Sequence, residues 1–301
     1  MKQIITISNF DIIFLSYDEP CADENFKRIQ SFIPWVQRVH GIKGSDTAHK
    51  ACANLASSDR VVIIDGDNWL YSDDLLNFKI EIDSDYINLD ESVISWSSFN
   101  TINGLSYGNG GVKCWPKHLL LSMKTHELAS AENKQSQVDF CWDINYVGLD
   151  YCLSSIINNS TPYQAWRAGF REGVKMSLSD GNRVSNFKSS WPGNINRLLI
   201  WMTVGADVTN GIWAMLGARQ ACWMLMCTDW DYVNVRDFDQ LQHIWDNSNF
   251  TVSNIHEKIK FYTDELTGIL EIPEPLSADQ SKFFKKCNYN QSRQHPNIRI
   301  L

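Results

Sequence analysis

Arg60-Val61-Val62-Ile63-Ile64-Asp65-Gly66-Asp67-Asn68 is the stretch on which the reading of this chain turns. Val61 to Ile64 is β-branched throughout and has no polar face, the mark of a strand covered on both sides. The run stops at two carboxylates separated by one glycine. Residues i and i+2 of an extended chain point to the same side, so Asp65 and Asp67 are expected to face one cation, with Gly66 admitting a ligand close to the backbone. Hard oxygen donors suit Mg2+ or Mn2+, with a substrate diphosphate completing the shell. Asp-Gly and Asp-Asn are also ordinary turn formers. The position after a buried strand gives the acidic pair its weight.

Working outward, Ser45 or Asp46 can cap a helix running to about Ala56, with Ala48, Ala51, Cys52 and Leu55 on one face. Trp35 to Val39 reads as a short strand. Ala22 to Phe32 has the helical spacing of Phe26, Ile29 and Phe32. Asp11 to Tyr17 reads as a buried strand ended by Asp18-Glu19-Pro20. Strand, helix, strand, helix, strand within about sixty residues predicts a doubly wound, mostly parallel α/β sheet flanked by helices. Ligands of such sheets lie at the carboxyl ends of the strands, here Ser16 to Glu19, His40 to Asp46 and Asp65 to Asn68. Downstream, Tyr86 to Leu89 and Val93 to Trp96 read as strands, followed by a glycine-dense loop, Tyr107-Gly108-Asn109-Gly110-Gly111. Helices dominate from about Pro162, so residues 1–155 are expected to form the ligand-binding domain and 156–301 a mainly helical region packed on it.

The bulk numbers set limits. At 301 residues and 44% hydrophobic content the chain has enough apolar material for one large domain or two modest ones. A formal net charge of −8 argues against indiscriminate nucleic-acid binding. The tail 281–301 is the exception: it has no acidic residue, and Lys282, Lys285, Lys286, Arg293 and Arg299 make it basic. Eight cysteines without a C-x-x-C pair point to neither a zinc nor a redox motif. No signal peptide is read at the N-terminus, so a cytoplasmic location is expected. Leu198 to Cys227 is apolar, but Asp207, Asn210, Arg219 and Gln220 interrupt it. Two buried helices broken near Asp207 to Gly211 are expected rather than a membrane span.

Lys43 to Asp67, a Gly-containing turn, a helix and a strand ending in Asp-x-Asp, resembles the nucleotide-sugar segment of family 2 glycosyltransferases, which have the GT-A fold. Similar chains occur among glycosyltransferase-like proteins of tailed bacteriophages. Tyr107 to Lys113 is similar to the glycine loop that in this superfamily approaches donor sugar and acceptor. The resemblance implies a UDP-sugar donor such as UDP-glucose or UDP-arabinose, with Mn2+ or Mg2+ on Asp65 and Asp67. It places Ser16, Tyr17 and Glu19 near the nucleoside, Lys43, Gly44 and His49 near the uridine or diphosphate, and Gly110 and Gly111 near the sugar. The chain departs from the family at Arg38-Val39-His40-Gly41, where an Asp-rich turn usually meets the base. The phage resemblance implies an acceptor hydroxyl on a 5-hydroxymethylpyrimidine, such as 5-hydroxymethylcytosine, in DNA of a phage-infected host cytoplasm.

An inverting transfer also needs a base for the acceptor's proton. Asp143 is the first choice, Asp139 the second, and Asp150 lies nearby. Thr161 and Pro162 open a helix on which Arg167, Arg171 and Lys175 form one stripe, at i, i+4 and i+8. That stripe, with Lys282 and Lys285, is a candidate contact for diphosphate or DNA phosphates, against the plainer reading of a solvated face. Trp96, Trp115 and Trp142 are candidates for stacking on a sugar or a flipped base. The rival classes are a transferase acting on a glycan or protein, a metal-dependent nucleotidyltransferase, and a non-enzymatic binding module.

Overall fold

The computed structural model describes residues 1–106, 110–287 and 295–301. Tyr107, Gly108 and Asn109 of the glycine loop, and Arg293 of the basic tail, lie outside them. The N-terminal half runs β1 (Lys2–Thr6), β2 (Asp11–Ser16), α1 (Ala22–Phe32), β3 (Gln37–His40), α2 (Ser45–Leu55), β4 (Arg60–Asp65), β5 (Asn68–Leu70), β6 (Lys79–Asp83), β7 (Ser92–Asn100), β8 (Val112–Pro116), α3 (Lys117–Ser122), α4 (Lys134–Val138) and β9 (Asn145–Ile156).

A seven-stranded sheet, ordered β3-β2-β4-β8-β7-β9-β5, forms the centre. β2 is parallel to β3 and β4, and β7 is parallel to β9; β8 and β5 run against their neighbours. The expected mostly parallel α/β sheet is therefore present, with two reversed strands. Side chains alternate along β4 between two apolar layers. Val62 and Ile64 join Ile12, Phe14 and Ile29 of α1, whereas Val61 and Ile63 join Cys52 and Ala53 of α2. Burial on both faces is why this strand has no polar alternation. Trp96 and Trp115 belong to these two layers and are fully buried, so neither can stack on a ligand; Trp142 is exposed. Tyr86 to Leu89, expected as a strand, is a turn that leads into a short 3-10 segment.

The C-terminal half runs α5 (Pro162–Ser177), a ribbon of β10 (Leu178–Ser179) and β11 (Asn182–Arg183), α6 (Pro192–Thr203), α7 (Gly211–Cys227), α8 (Phe238–Asn247), α9 (Ile255–Glu265), α10 (Ala278–Cys287) and β12 (Ile298–Ile300). The Thr161 hydroxyl caps α5 by accepting from the Gln164 amide at 3.1 Å. The apolar stretch 198–227 is split between α6 and α7 as expected. Among the described residues no helix is long and apolar enough to cross a membrane. α5 and α7 lie almost in backbone contact: a Cβ on Gly169 would stand 2.0 Å from the Ala214 carbonyl oxygen, and one on Gly217 2.2 Å from that of Trp166. The tail is not a free terminus. β12 pairs with β6, whose other edge is β1, and Ile298 is buried in the N-terminal core. Residues 298–300, expected with the helical region, thus pair with a strand of the N-terminal half.

Candidate active site

The carboxyl ends of β2, β3 and β4 meet α5 and the 125–144 segment. Asp65 ends β4, and its carboxylate accepts from Lys113 Nζ at 2.9 Å. The chain then turns at Gly66 and Asp67 before β5. A Cβ on Gly66 would lie 2.6 Å from Glu19 Oε2, so only glycine lets the Glu19 carboxylate rest on this turn. Asn68 follows and is buried. Its Nδ2 donates to Asp67 Oδ1 at 2.8 Å, and its Oδ1 accepts from the hydroxyls of Ser98 at 3.2 Å and Ser154 at 2.7 Å. Gly111 closes this network. Its carbonyl accepts from the Asp65 amide at 2.8 Å, and a Cβ there would stand 1.8 Å from Asn68 Nδ2. A Cβ on Gly110 would meet the Trp96 carbonyl at 2.2 Å. Both glycines are thus explained by close packing on the sheet.

Charge is concentrated here. Burial, then the neighbouring charges of Asp65 and Glu19, pushes the Asp67 pKa up to about 7. Burial first, and Asp65 among the lesser causes, also raises the Glu19 carboxyl. Among the described residues no three His, Cys, Asp or Glu side chains converge tightly enough to hold a metal by themselves. The donor set nonetheless fits Mg2+ or Mn2+, which take one or two carboxylates and complete their shell with water and phosphate oxygens. The Lys113 ammonium on Asp65 is a stand-in for such a cation.

α5 brings the basic stripe inside rather than into solvent. Lys175 Nζ pairs with Asp139 at 2.7 Å and Glu172 at 3.0 Å. The Arg167 guanidinium stands over the Phe238 ring at 4.4 Å and pairs with Asp18 at 3.7 Å. Arg171 lies over the same ring at 5.3 Å, and burial lowers its pKa despite the charges of Asp139 and Asp67. The solvated-face reading of the stripe is therefore excluded. Burial would raise the Asp139 carboxyl, but Lys175 and the Cys141 amide outweigh it and hold the carboxyl well below its ordinary value. An ion-paired carboxylate of that kind is a poor base. Asp143 is exposed and accepts from Asn133 Nδ2 at 3.0 Å and from the Ser136 hydroxyl. Asp150 is exposed on β9.

The other residues expected near the donor have protein partners of their own. Ser16 Oγ lies 2.9 Å from His40 Nδ1 and accepts from Arg38 Nε at 3.0 Å. The Tyr17 amide donates to Glu19 at 2.8 Å and its ring is exposed. His49 is turned into the layer under the sheet: Nδ1 donates to the Ser45 carbonyl at 2.7 Å, and the ring packs edge-on against Trp115 and Phe140. Burial lowers its pKa. Gly44, at φ +95°, rather than Ser45 or Asp46, is the cap residue of α2. The amides of Ser45 and Asp46 donate to the Glu127 carboxylate at 2.6 and 3.1 Å, so this helix start already holds an anion. Lys43 reaches across to Asp239 at 3.1 Å, both side chains exposed. Lys285 is turned inward, paired with Asp207 at 2.8 Å and donating to the Thr101 carbonyl at 3.0 Å, and so is withdrawn from any surface phosphate. Lys282 is exposed.

Sequence reasoning named Asn68 and Lys113 only as the last residues of their segments, gave them no role, and missed Glu127. Lys113 had a signal, a lone charge inside the buried run Val112-Lys113-Cys114-Trp115. Glu127 had none, because it caps a helix 82 residues upstream.

No protein-family model matches the chain, and no curated protein matches it. Among solved structures, it is similar to a mannosyltransferase from Pyrobaculum calidifontis in complex with GDP-Man and Mn2+, at 12% identity, 85% of each chain and a TM-score of 0.36. A glycosyltransferase involved in glycosylation of the major capsid of PBCV-1 matches at 13% identity over 50% of this chain and 94% of that one, with a TM-score of 0.30. HddC from Yersinia pseudotuberculosis matches at 13% over 52% and 76%, with a TM-score of 0.28.

Proposed function

We propose that this chain is a metal-dependent glycosyltransferase that takes a nucleoside-diphosphate sugar, a UDP-sugar in the first instance. The observation that carries the reading is the juxtaposition at the end of β4. Asp65, Asp67 and Glu19 are clustered closely enough to raise the Asp67 carboxyl, and Arg171, held over Phe238, is near enough to feel the charge of Asp67. An acidic corner with a half-buried guanidinium near it fits a cation–diphosphate pair, which presents one positive and one negative partner. Asp65 and Asp67 would hold Mg2+ or Mn2+, which supplies charge neutralisation on the departing diphosphate. Arg171 and Arg167 would bind its phosphate oxygens, and Phe238 holds both guanidinium planes in place. Asp143 is preferred to Asp139 as the acceptor's base, because Asp139 is committed to Lys175.

Calorimetric titration with UDP-glucose, UDP-arabinose, GDP-mannose and UDP, each with and without Mn2+, tests this. A metal-dependent response to one sugar donor that Asp67→Ala abolishes is expected. Silence toward all four, with binding of a nucleoside triphosphate instead, would move the chain to the nucleotidyltransferases.

For the acceptor we retain a 5-hydroxymethylpyrimidine in DNA, on the strength of the phage resemblance and the exposed Lys282 and Lys286. The inward placement of Arg171, Lys175 and Lys285 favours the second reading, a glycan or protein hydroxyl, because it removes three cations from the outer surface.

A further inference from the structure

We propose that Lys113 is a resident counter-cation for Asp65, which yields that carboxylate only when a divalent cation arrives together with a diphosphate. The inference rests on the metal-dependent reading above and concerns the order in which the site fills.

Lys113 is the second residue of β8, opposite Ile63 and Ser95. Its neighbours Val112 and Cys114 are fully buried, and its own side chain is 11% exposed. A lysine there gives up hydration, and a buried ion pair is seldom more stabilising than apolar residues of the same volume. A structural need at this position would be met by valine or leucine. What the ammonium does instead is occupy one oxygen of Asp65 at 2.9 Å. Asp67 has a neutral partner, Asn68, so the two carboxylates of the turn are held by groups of different charge. A free divalent cation must displace an ammonium to use Asp65, and among the described residues no third carboxylate, Glu19 included, is placed to complete a three-ligand site with Asp65 and Asp67. It also meets the repulsion of that ammonium a few ångströms away. A diphosphate changes the balance. Its charge offsets both cations, supplies the missing oxygen donors, and gives the released ammonium a new partner. Metal and diphosphate therefore bind cooperatively, and by linkage each strengthens the other by the same factor. The arrangement keeps the site from filling with metal before the donor is present.

Manganese binding to the full chain, followed by calorimetry and by the electron paramagnetic resonance of free Mn2+, tests the inference without turnover. It is measured alone and with saturating UDP or GDP. Wild type should bind Mn2+ weakly alone and at least about ten-fold more tightly with the nucleotide. Lys113→Met should tighten the metal-alone affinity by about ten-fold and shrink the nucleotide's enhancement correspondingly. Lys113→Arg should behave as wild type, and Asp65→Asn combined with Lys113→Met should lose the gain. Lys113→Gln, which keeps a hydrogen bond without the charge, gives the same reading should methionine prevent folding. If the uncharged variants bind Mn2+ alone no more tightly than wild type, with the enhancement intact, Lys113 is only a structural partner and the inference falls while the metal reading stands. If neither protein binds Mn2+ under any of these conditions, the metal reading falls and the inference with it.

Discussion

Asp67 is placed where burial and two neighbouring carboxylates act in the same direction, and the consequence reaches stability. Its folded pKa of about 7 lies above the ordinary carboxylate value. The folded state therefore holds the proton more tightly than the unfolded chain, and stability is lost as pH rises from about 4 through about 7. In the metal-free protein, Asp67→Asn should raise stability at pH 8 by up to about 4 kcal/mol, and the gain should vanish near pH 4. Melting curves in EDTA at the two pH values check this; an equal effect at both would mean that the charge is not what costs stability. Binding of Mn2+ by wild type should weaken below pH 7, because the ligand must lose its proton. That Asp65 and Asp67 follow a buried strand was legible in the sequence, since a buried strand ending in two acids is a local pattern. The partners that decide how they are used were not. Lys113 lies 48 residues from Asp65, and Ser154, which orients Asn68, lies 86 residues from it. Gly111 could be read only as part of a glycine-dense loop. The structure shows the reason for it, an Asn68 side chain where a Cβ would be. Gly111→Ala should accordingly displace Asn68 from Asp67 and weaken Mn2+ binding along with stability. Calorimetry on the folded fraction would show unchanged metal affinity if the network does not position Asp67.

Among the elements, α5 connects site and scaffold. Its start was predictable from Thr161 and Pro162, and its basic stripe from helical spacing, but which way that stripe faced depended on α7. Gly169, Gly173 and Gly217 let the two helices approach until backbone nearly meets backbone, which turns Lys175 toward Asp139 and brings Arg171 within reach of the charge of Asp67. Helical glycines are costly in isolation and give little sequence signal for a partner 40 or more residues away. Gly169→Ala removes that cost, yet puts a methyl 2.0 Å from the Ala214 carbonyl oxygen. The helices must part, so the change should destabilise by about 2 kcal/mol instead of stabilising. It should also weaken donor binding, by shifting Arg171. Chemical denaturation and donor titration read the two effects separately. A gain in stability would show that the contact relaxes freely. α2 teaches the complementary point. Ser45 and Asp46 have the right chemistry for caps, but a carboxylate from the 125–144 segment reaches their amides first, so local propensity located the helix and tertiary contact supplied its cap.

At the scale of the whole molecule, the chain closes on itself. β12 adds a third strand beside β6 and buries Ile298, and Lys285 bolts α10 to Asp207 and to the Thr101 carbonyl. Composition showed a basic tail, and nothing in composition distinguishes a lysine in solvent from one paired inside. Truncation after Phe283, the simplest way to ask whether this tail meets DNA, would remove both the strand and the ion pair. It should lower stability whatever the acceptor is, so lost activity would not discriminate. Charge reversal at the two lysines that do face solvent, Lys282 and Lys286, separates the effects. Exposed surface changes of this kind should shift stability by less than about 0.5 kcal/mol. If DNA is the acceptor and both lysines meet its phosphates, Lys282→Glu with Lys286→Glu should reduce the slope of log affinity against log salt by about two. Binding to hydroxymethylcytosine-containing duplex would be measured between low and moderate salt. An unchanged slope, together with intact metal-dependent donor binding, would remove DNA contact from this face of the molecule and leave a glycan or protein hydroxyl as the acceptor the site was built for.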